Sequence, residues 1–394
     1  MSLTAKRLHF VTRELIYKAV FLSSPRATIC FARTLSQHPE LASLVRYFEA
    51  GAGERHIDIH DISDPGTKPT FKTTIFTQEE IQKYFLPPLR RWHSVIPGVV
   101  EDLQSNQGAI WVSGILSRLH GLTEVELQLG RSAQYLNRMI KWSSVEAKGE
   151  LPFTNLVSLS LFANEDAGVD VKSILRLPSL EIFRSWSLRG SSLPNMVGDI
   201  TSPLRYLGLF RPYMDEAEVV SLLRCCQELR QFELQPILGM TPGVPWYHAK
   251  AVAQGISAGL YHCRQTLEVL TIDTWTTSTP AQPVDFTGYQ HLTKLTLPAT
   301  EAVKLADTRN PPARMALFPK PLKCLVLVMA QRGRTETLRS ALLQYVTNQQ
   351  LLPALRTLDV IWERSHTSKV PELREIEDAC ACRGIIFSSR LSDR

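Results

Sequence analysis

The residues most suggestive of catalysis form the run Gly255-Ile256-Ser257-Ala258-Gly259, which matches the Gly-x-Ser-x-Gly pattern of a nucleophilic serine. In such sites the serine follows a buried strand and opens a helix, on a sharp turn that exposes its hydroxyl. Here the preceding residues, Tyr247 to Gln254, have helical character. We therefore interpret the two glycines as small residues that let a helix pack closely against its neighbour. The sequence predicts no enzyme, with a hydrolase that uses Ser257 as the alternative.

A second group of reactive side chains is His56, Asp58, His60 and Asp61, which could be drawn as a metal cluster. Glycine and proline loop signals flank the group, and a flexible segment does not preorganise metal ligands. We predict a polar loop there. The sequence also contains no phosphate-binding loop, dinucleotide fingerprint or zinc-protease motif. We therefore expect neither a metal nor a cofactor.

The cysteines give information about the compartment. There are seven of them, at Cys30, Cys225, Cys226, Cys263, Cys324, Cys380 and Cys382. The odd number and the spacing match neither a disulfide framework nor a zinc site, so reduced, buried thiols are predicted. No Asn-x-Ser/Thr sequence occurs. Both features favour a cytoplasmic or nuclear protein over a secreted one.

Charge and hydropathy narrow the classes of partner. The formal net charge of +6 is modest for 394 residues, and no basic stripe with interleaved aromatic residues is present. We therefore predict no nucleic-acid binding. No stretch approaches the roughly 20 apolar residues of a membrane span, so no membrane partner is predicted.

The elements that organise the chain are copies of a short strand pattern, Leu-x-x-Leu-x-Leu. Its apolar positions are Leu122, Val125, Leu127; Leu156, Leu159, Leu161; Leu180, Phe183; Leu204, Leu207, Leu209; Leu229, Phe232, Leu234; Leu267, Leu270, Ile272; Leu292, Leu295, Leu297; Leu322, Leu325, Leu327; and Leu355, Leu358, Val360. From Leu156 onward the copies start about 24 to 38 residues apart, which is typical of leucine-rich repeats with loop insertions. The pattern predicts an α/β leucine-rich-repeat solenoid, with parallel strands on its concave face and helices behind them.

The predicted domain organisation has two parts. Residues 1–40 form a short helical segment, and residues 41–394 form an irregular repeat domain with a capping or loop region at about 49–105. Within the first part, Leu3, Leu8, Val11, Leu15 and Ile16 fall mostly at helical spacing. Residues 17–21 could then run extended, a second helix begins at residues 24–26, and the first repeat strand covers residues 41–48.

The candidate binding site follows from strand alternation. In a strand, successive side chains point to opposite faces, so residues between the buried leucines face outward on the concave wall. Aromatic residues beside charges on such a wall suit protein recognition. The predicted partner-binding residues are Glu124, Glu126, Tyr206, Phe210, Gln231, Glu233, Thr271, Asp273, Lys294, Thr357 and Asp359. Trp186, Trp275 and Trp362 fall at or just past strand ends and extend this prediction.

The N-terminal residues resemble a known family. Leu3-Thr4-Ala5-Lys6-Arg7-Leu8, then Leu15 to Val20, then His38-Pro39-Glu40-Leu41, look like the end of an F-box in fungal F-box/leucine-rich-repeat proteins. The resemblance implies a helical module that docks on the Skp adaptor of a cullin-type ubiquitin ligase, with repeats that hold the substrate. The opening helices of an F-box would lie before Leu3, so adaptor binding is expected only with a longer N-terminus. The alternative is a free-standing repeat scaffold without a ligase role.

Overall fold

The structure is a computed structural model, and it shows an α/β protein made of two compact units, Met1–Leu204 and Arg205–Arg394. The described residues are 12–23, 25–51, 79, 108–129, 133–145, 152–163, 168–189, 200–235, 256, 258–272, 285–299, 303, 318–329, 335–362 and 373–391. Most of the predicted capping or loop region at 49–105 lies outside them.

In the first unit, five parallel strands follow one another in chain order, each hydrogen-bonded to the next. The elements are α1 (residues 12–18), β1 (Ala19–Leu22), α2 (Pro25–Gln37), a 3-10 helix (Pro39–Leu44), β2 (Tyr47–Ala50), α3 (Gly108–Leu116), β3 (Glu124–Leu129), α4 (Gln134–Val145), β4 (Ser158–Ala163), α5 (Val171–Leu175) and β5 (Ile182–Trp186). Strand β1 begins at Ala19, so residues 19–21 of the predicted extended stretch 17–21 lie in a strand, whereas residues 17 and 18 belong to α1.

The second unit has the same arrangement, with seven parallel strands in chain order. Its elements are β6 (Tyr206–Phe210), α6 (Glu216–Cys225), β7 (Gln231–Gln235), a 3-10 helix (Tyr261–Cys263), β8 (Val269–Ile272), β9 (Lys294–Pro298), β10 (Cys324–Met329), α7 (Thr335–Thr347), β11 (Thr357–Trp362), α8 (Arg374–Cys382) and β12 (Ile386–Leu391).

The strand copies predicted from the leucine pattern are all present and parallel. Every apolar position of the nine copies is buried, with at most 6% of its surface exposed, and the residues between them are mostly half-buried. This alternation is the reason the copies stack, because one strand cannot bury its leucines without neighbours. The buried side chains of the helices complete the same core, as with Leu222 and Leu223 of α6.

A repeated hydrogen bond marks the entrance to the strands. The carbonyl of the residue just before one strand accepts two N–H groups from the next copy, as the Arg230 carbonyl does from Glu268 and Val269. Arg205, Glu268, Thr293 and Lys323 repeat the pattern in the second unit. Each copy therefore satisfies backbone groups of its neighbour at the start of its strand.

Side chains fix the ends of two helices in the second unit. Asp215 accepts a hydrogen bond from the backbone N–H of Glu218, whose own carboxylate accepts from the N–H of Asp215, so α6 begins at a capping box. At the end of α7 the Arg383 guanidinium donates to the carbonyl of Val346 at 2.7 Å, and to those of Leu352 and Tyr345 at 3.1 and 3.4 Å. A cation therefore satisfies carbonyls that the helix leaves without partners.

The first repeat strand differs from its prediction. Leu41 and Leu44, expected in a strand over residues 41–48, lie in the 3-10 helix that begins at Pro39. The fixed φ of proline suits the first turn of a helix, and this local preference wins over the strand pattern. The strand starts only at Tyr47, and Phe48 is its buried centre.

Across the described residues, no helix combines the length and the apolar character needed to cross a membrane.

Candidate functional site

In each unit we define the open face as the sheet face opposite the buried leucines. Strand alternation places ten of the eleven predicted partner-binding residues on the open faces, and Asp273 lies outside the described residues. Strand pairing then aligns them across the second unit. Tyr206 lies beside Gln231, and Val269, Lys294, Cys324 and Thr357 continue the same row. The structure thus brings these residues onto common surfaces, and their role in binding stays a prediction.

The most organised part of the open face of the second unit surrounds Gly208. A Cβ atom added there would lie 2.9 Å from Cε2 of Phe210 and 3.1 Å from both Cε1 and the hydroxyl of Tyr206. The two aromatic rings therefore converge over the glycine, where no side chain stands in their way. We call Tyr206, Phe210, Glu233 and Gln235, together with Gly208, the aromatic–carboxylate cluster.

Glu233 lies beside Gly208 in the strand register, and hydrogen bonds fix both of its oxygens. The Tyr206 hydroxyl donates to Oε2 at 2.7 Å, and Nε2 of Gln235 donates to Oε1 at 2.9 Å. Gln235 was not among the predicted partner-binding residues. Strand alternation could have predicted it, since it is the next outward residue on β7 after Glu233.

Asp359, on the open face of the second unit, is held by a hydrogen bond and lies near the Cys324 thiol. Asp359 accepts a hydrogen bond from the Ser388 hydroxyl at 2.5 Å. Burial raises the pKa of the neighbouring Cys324 thiol; the Asp359 carboxylate raises it further and the Lys294 ammonium opposes the rise. The carboxylate on β11 and the ammonium on β9 thus change the pKa of the Cys324 thiol, which lies on β10 between them, in opposite directions.

The open face of the first unit is acidic. Glu49 of β2 lies beside Glu126 of β3, and the Tyr47 hydroxyl donates to Glu49 at 2.5 Å. Burial raises the pKa of Glu126, Glu49 raises it further, and Arg184 of β5 lowers it. Burial also raises the pKa of Tyr47, as does its bond to Glu49. The sequence analysis missed Tyr47 and Glu49, because β2 lacks the leucine pattern.

The three predicted tryptophans have different outcomes. Trp186 ends β5 on the open face and stacks on Phe162, with ring centroids 4.0 Å apart and planes 14° apart. Trp362 does not belong to the wall: it is 4% exposed and donates through Nε1 to the Ser389 hydroxyl at 2.8 Å. It is an even number of residues from Leu358, so alternation turns it toward the core. Trp275 lies outside the described residues.

The Gly-x-Ser-x-Gly motif of residues 255–259 makes a close contact with α6. Ile256 and residues 258–260 are helical, while Ser257 itself is outside the described residues. A Cβ atom on Gly259 would lie 2.6 Å from Cδ1 and 2.9 Å from Cβ of Leu223 on α6. The glycine therefore permits a close helix contact, which agrees with the packing interpretation of this motif.

The remaining groups with possible chemistry are the candidate metal ligands and the thiols. His56, Asp58, His60 and Asp61 lie outside the described residues, and the described part of the chain holds no group of three His, Cys, Asp or Glu residues able to bind a metal.

All seven cysteines are free thiols. Cys225, Cys226, Cys263 and Cys380 are buried as predicted, whereas Cys30 and Cys382 are exposed because they lie on the outer sides of α2 and α8. Burial raises the pKa of Cys263 to about 12, and its thiol donates to the Cys226 carbonyl at 3.2 Å. These buried thiols are therefore protonated and structural at neutral pH.

Comparison with protein-family models and with curated protein sequences finds no match to this chain.

Proposed function

We propose that the chain is a non-catalytic protein-binding protein that holds a protein partner on the open face of its second unit. The single observation that carries this proposal is the aromatic–carboxylate cluster. Its two rings and one carboxylate are half-buried on paired strands, and hydrogen bonds hold the Tyr206 ring and the carboxylate. Aromatic side chains at the centre of a protein contact contribute most of the binding energy, and little conformational entropy is lost when they are already positioned.

The architecture supports the same proposal. Parallel strands present side chains at fixed spacing, so a partner can contact several of them at once. The charged residues around the cluster, such as Lys294 and Asp359, would then form a polar rim. No cofactor or metal enters the proposal.

We further propose, from the resemblance of residues 3–41 to the end of an F-box, that the chain acts as a substrate-recognition subunit of a cullin-type ubiquitin ligase in the cytoplasm or nucleus. The alternative remains a free-standing repeat scaffold. In size-exclusion chromatography the purified chain should elute separately from a purified Skp-type adaptor, because adaptor binding is expected only with a longer N-terminus. An N-terminally extended form that elutes with the adaptor would support the ligase role, and separate elution of that form would favour the scaffold.

The binding surface is tested with a triple variant, Tyr206→Ala, Phe210→Ala and Glu233→Ala. A matched control replaces three exposed residues on the helix side of the same unit: Arg224, Gln227 and Glu228. The partner is first captured from cell extract with the wild-type chain and then purified. Loss of at least ~2 kcal/mol of affinity, about 30-fold, is expected for the first variant alone. Unchanged affinity in a folded first variant would contradict the proposed surface.

A further inference from the structure

We infer that the aromatic–carboxylate cluster receives an arginine side chain of the protein partner. The inference rests on the proposed function and specifies the chemistry of its central contact. It depends on three features of the cluster: a carboxylate with a fixed orientation, the lack of an ion-pairing cation for it among the described residues, and the two aromatic rings that adjoin it.

The carboxylate of Glu233 is oriented but not saturated. Tyr206 and Gln235 each donate one hydrogen bond, to different oxygens. A carboxylate has about four acceptor positions, so each oxygen retains capacity for a further donor. Both oxygens are therefore held ready to accept two parallel N–H groups, which is the geometry of a bidentate guanidinium.

The carboxylate of Glu233 has no ion-pairing cation in the described part of the chain. Its neighbours in register are Gly208 on β6 and Thr271 on β8, and neither carries a charge. No described cation forms an ion pair with it. A half-buried carboxylate is partly desolvated, and a nearby cation offsets that cost. The position thus favours a cation supplied from outside the chain.

Two other carboxylates in the same structure do have cations nearby. Glu268 pairs with Arg230 at 3.4 Å. Arg184 lowers the pKa of Glu126 in the first unit. At these two positions a basic side chain lies near the carboxylate, whereas at the cluster two aromatic rings lie near it.

The rings select the kind of cation. Tyr206 and Phe210 are half-buried, so part of each ring is accessible at the surface. Aromatic faces attract cations, and arginine is found over them more often than lysine. A planar guanidinium can stack on a ring while it donates two parallel hydrogen bonds to a carboxylate, whereas an ammonium makes a point contact. Arginine uses both parts of the cluster together.

The test uses a random twelve-residue peptide library displayed on phage and selected against the folded, full-length chain. Selected peptides are synthesised in three forms, with the central arginine, with neutral citrulline, and with lysine. Affinity is measured for the wild type, Glu233→Gln and the matched control Glu228→Gln, which alters an exposed acid in the turn before β7, away from the open face. We expect arginine in the selected sequences and a loss of roughly tenfold or more both with citrulline and with Glu233→Gln. Glu228→Gln should leave the affinity within about twofold.

The outcomes separate this inference from the proposed function. Peptides that lose affinity with Phe210→Ala, but tolerate citrulline and Glu233→Gln, would overturn the arginine assignment and leave the open-face binding surface standing. Equal affinity for the lysine form would overturn the guanidinium preference. Peptides that bind the Tyr206, Phe210 and Glu233 triple variant as well as the wild type would overturn both proposals. The citrulline comparison leaves the protein unaltered, so it remains decisive even where a variant folds poorly.

Discussion

Replacement of Leu207 by alanine tests whether the leucine copies stack into one core in the second unit. Leu207 is fully buried on β6, beside Phe232 of β7. The change removes three side-chain carbons, and at ~0.8 kcal/mol for each buried methylene the lost transfer free energy is about 2.4 kcal/mol. Leu209 and Phe232 are themselves fully buried in the sheet, so the site cannot collapse fully. The remaining cavity brings the expected loss of unfolding free energy to ~3–5 kcal/mol.

The control is Gln231→Ala, one strand away on the open face, where the side chain is half-buried beside Tyr206. Its removal leaves the core intact and should cost no more than ~0.5–1 kcal/mol. Urea unfolding followed by far-ultraviolet circular dichroism gives both free energies, by linear extrapolation to water. Leu207→Asp should yield no stably folded second unit, since it buries an unpaired charge.

The reasoning would be refuted if Leu207→Ala cost less than ~1 kcal/mol, or if Gln231→Ala cost as much. Either result would mean that the two faces of β6 and β7 do not differ in burial, contrary to the alternation on which both the core and the open face depend. A change in the slope of the unfolding free energy against urea concentration would show that the variant had altered the compactness of the unfolded or native state, and not the core packing alone.

Three further predictions concern the second unit. Arg383→Met removes the guanidinium from the end of α7 and should cost about 2–3 kcal/mol in urea unfolding, whereas exposed Arg356→Met should cost less than ~0.5. Gly259→Ala should cost ~1–3 kcal/mol in the same assay because of its contact with α6, and Gly288→Ala, with its nearest neighbouring atom at 3.8 Å, should change little. The pKa of Cys263 is about 12 in the folded state and that of an unfolded thiol is ~8.5, so the unfolding free energy should fall by up to about 2 kcal/mol between roughly pH 8 and 10. Cys263→Ala should make that decline shallower; an equally steep decline would contradict the assignment.

Through the leucine pattern alone, the sequence located nine of the twelve described strands, because that pattern is local and repeats. It also identified the side chains of the open faces, since alternation has a period of two wherever a strand is placed correctly. The same rule, applied to Trp362, would have turned that residue inward. The first strand pair was harder to predict. Strand β2 has no leucine pattern, and Pro39 favours a 3-10 helix over residues 39–44, just before β2.

Only the tertiary structure decided which side chains meet. Tyr206 and Glu233 are 27 residues apart, and their hydrogen bond exists because β6 and β7 pair in a particular register. The capping of α7 by Arg383 has the same origin, with partners 31 to 38 residues away. Alternation is a property of one strand and can be read along the chain, whereas the lateral register depends on packing among many copies. Composition and spacing therefore determined the faces of the sheets, and the folded arrangement determined that Glu233 lies beside two aromatic rings, with no ion-pairing cation among the described residues.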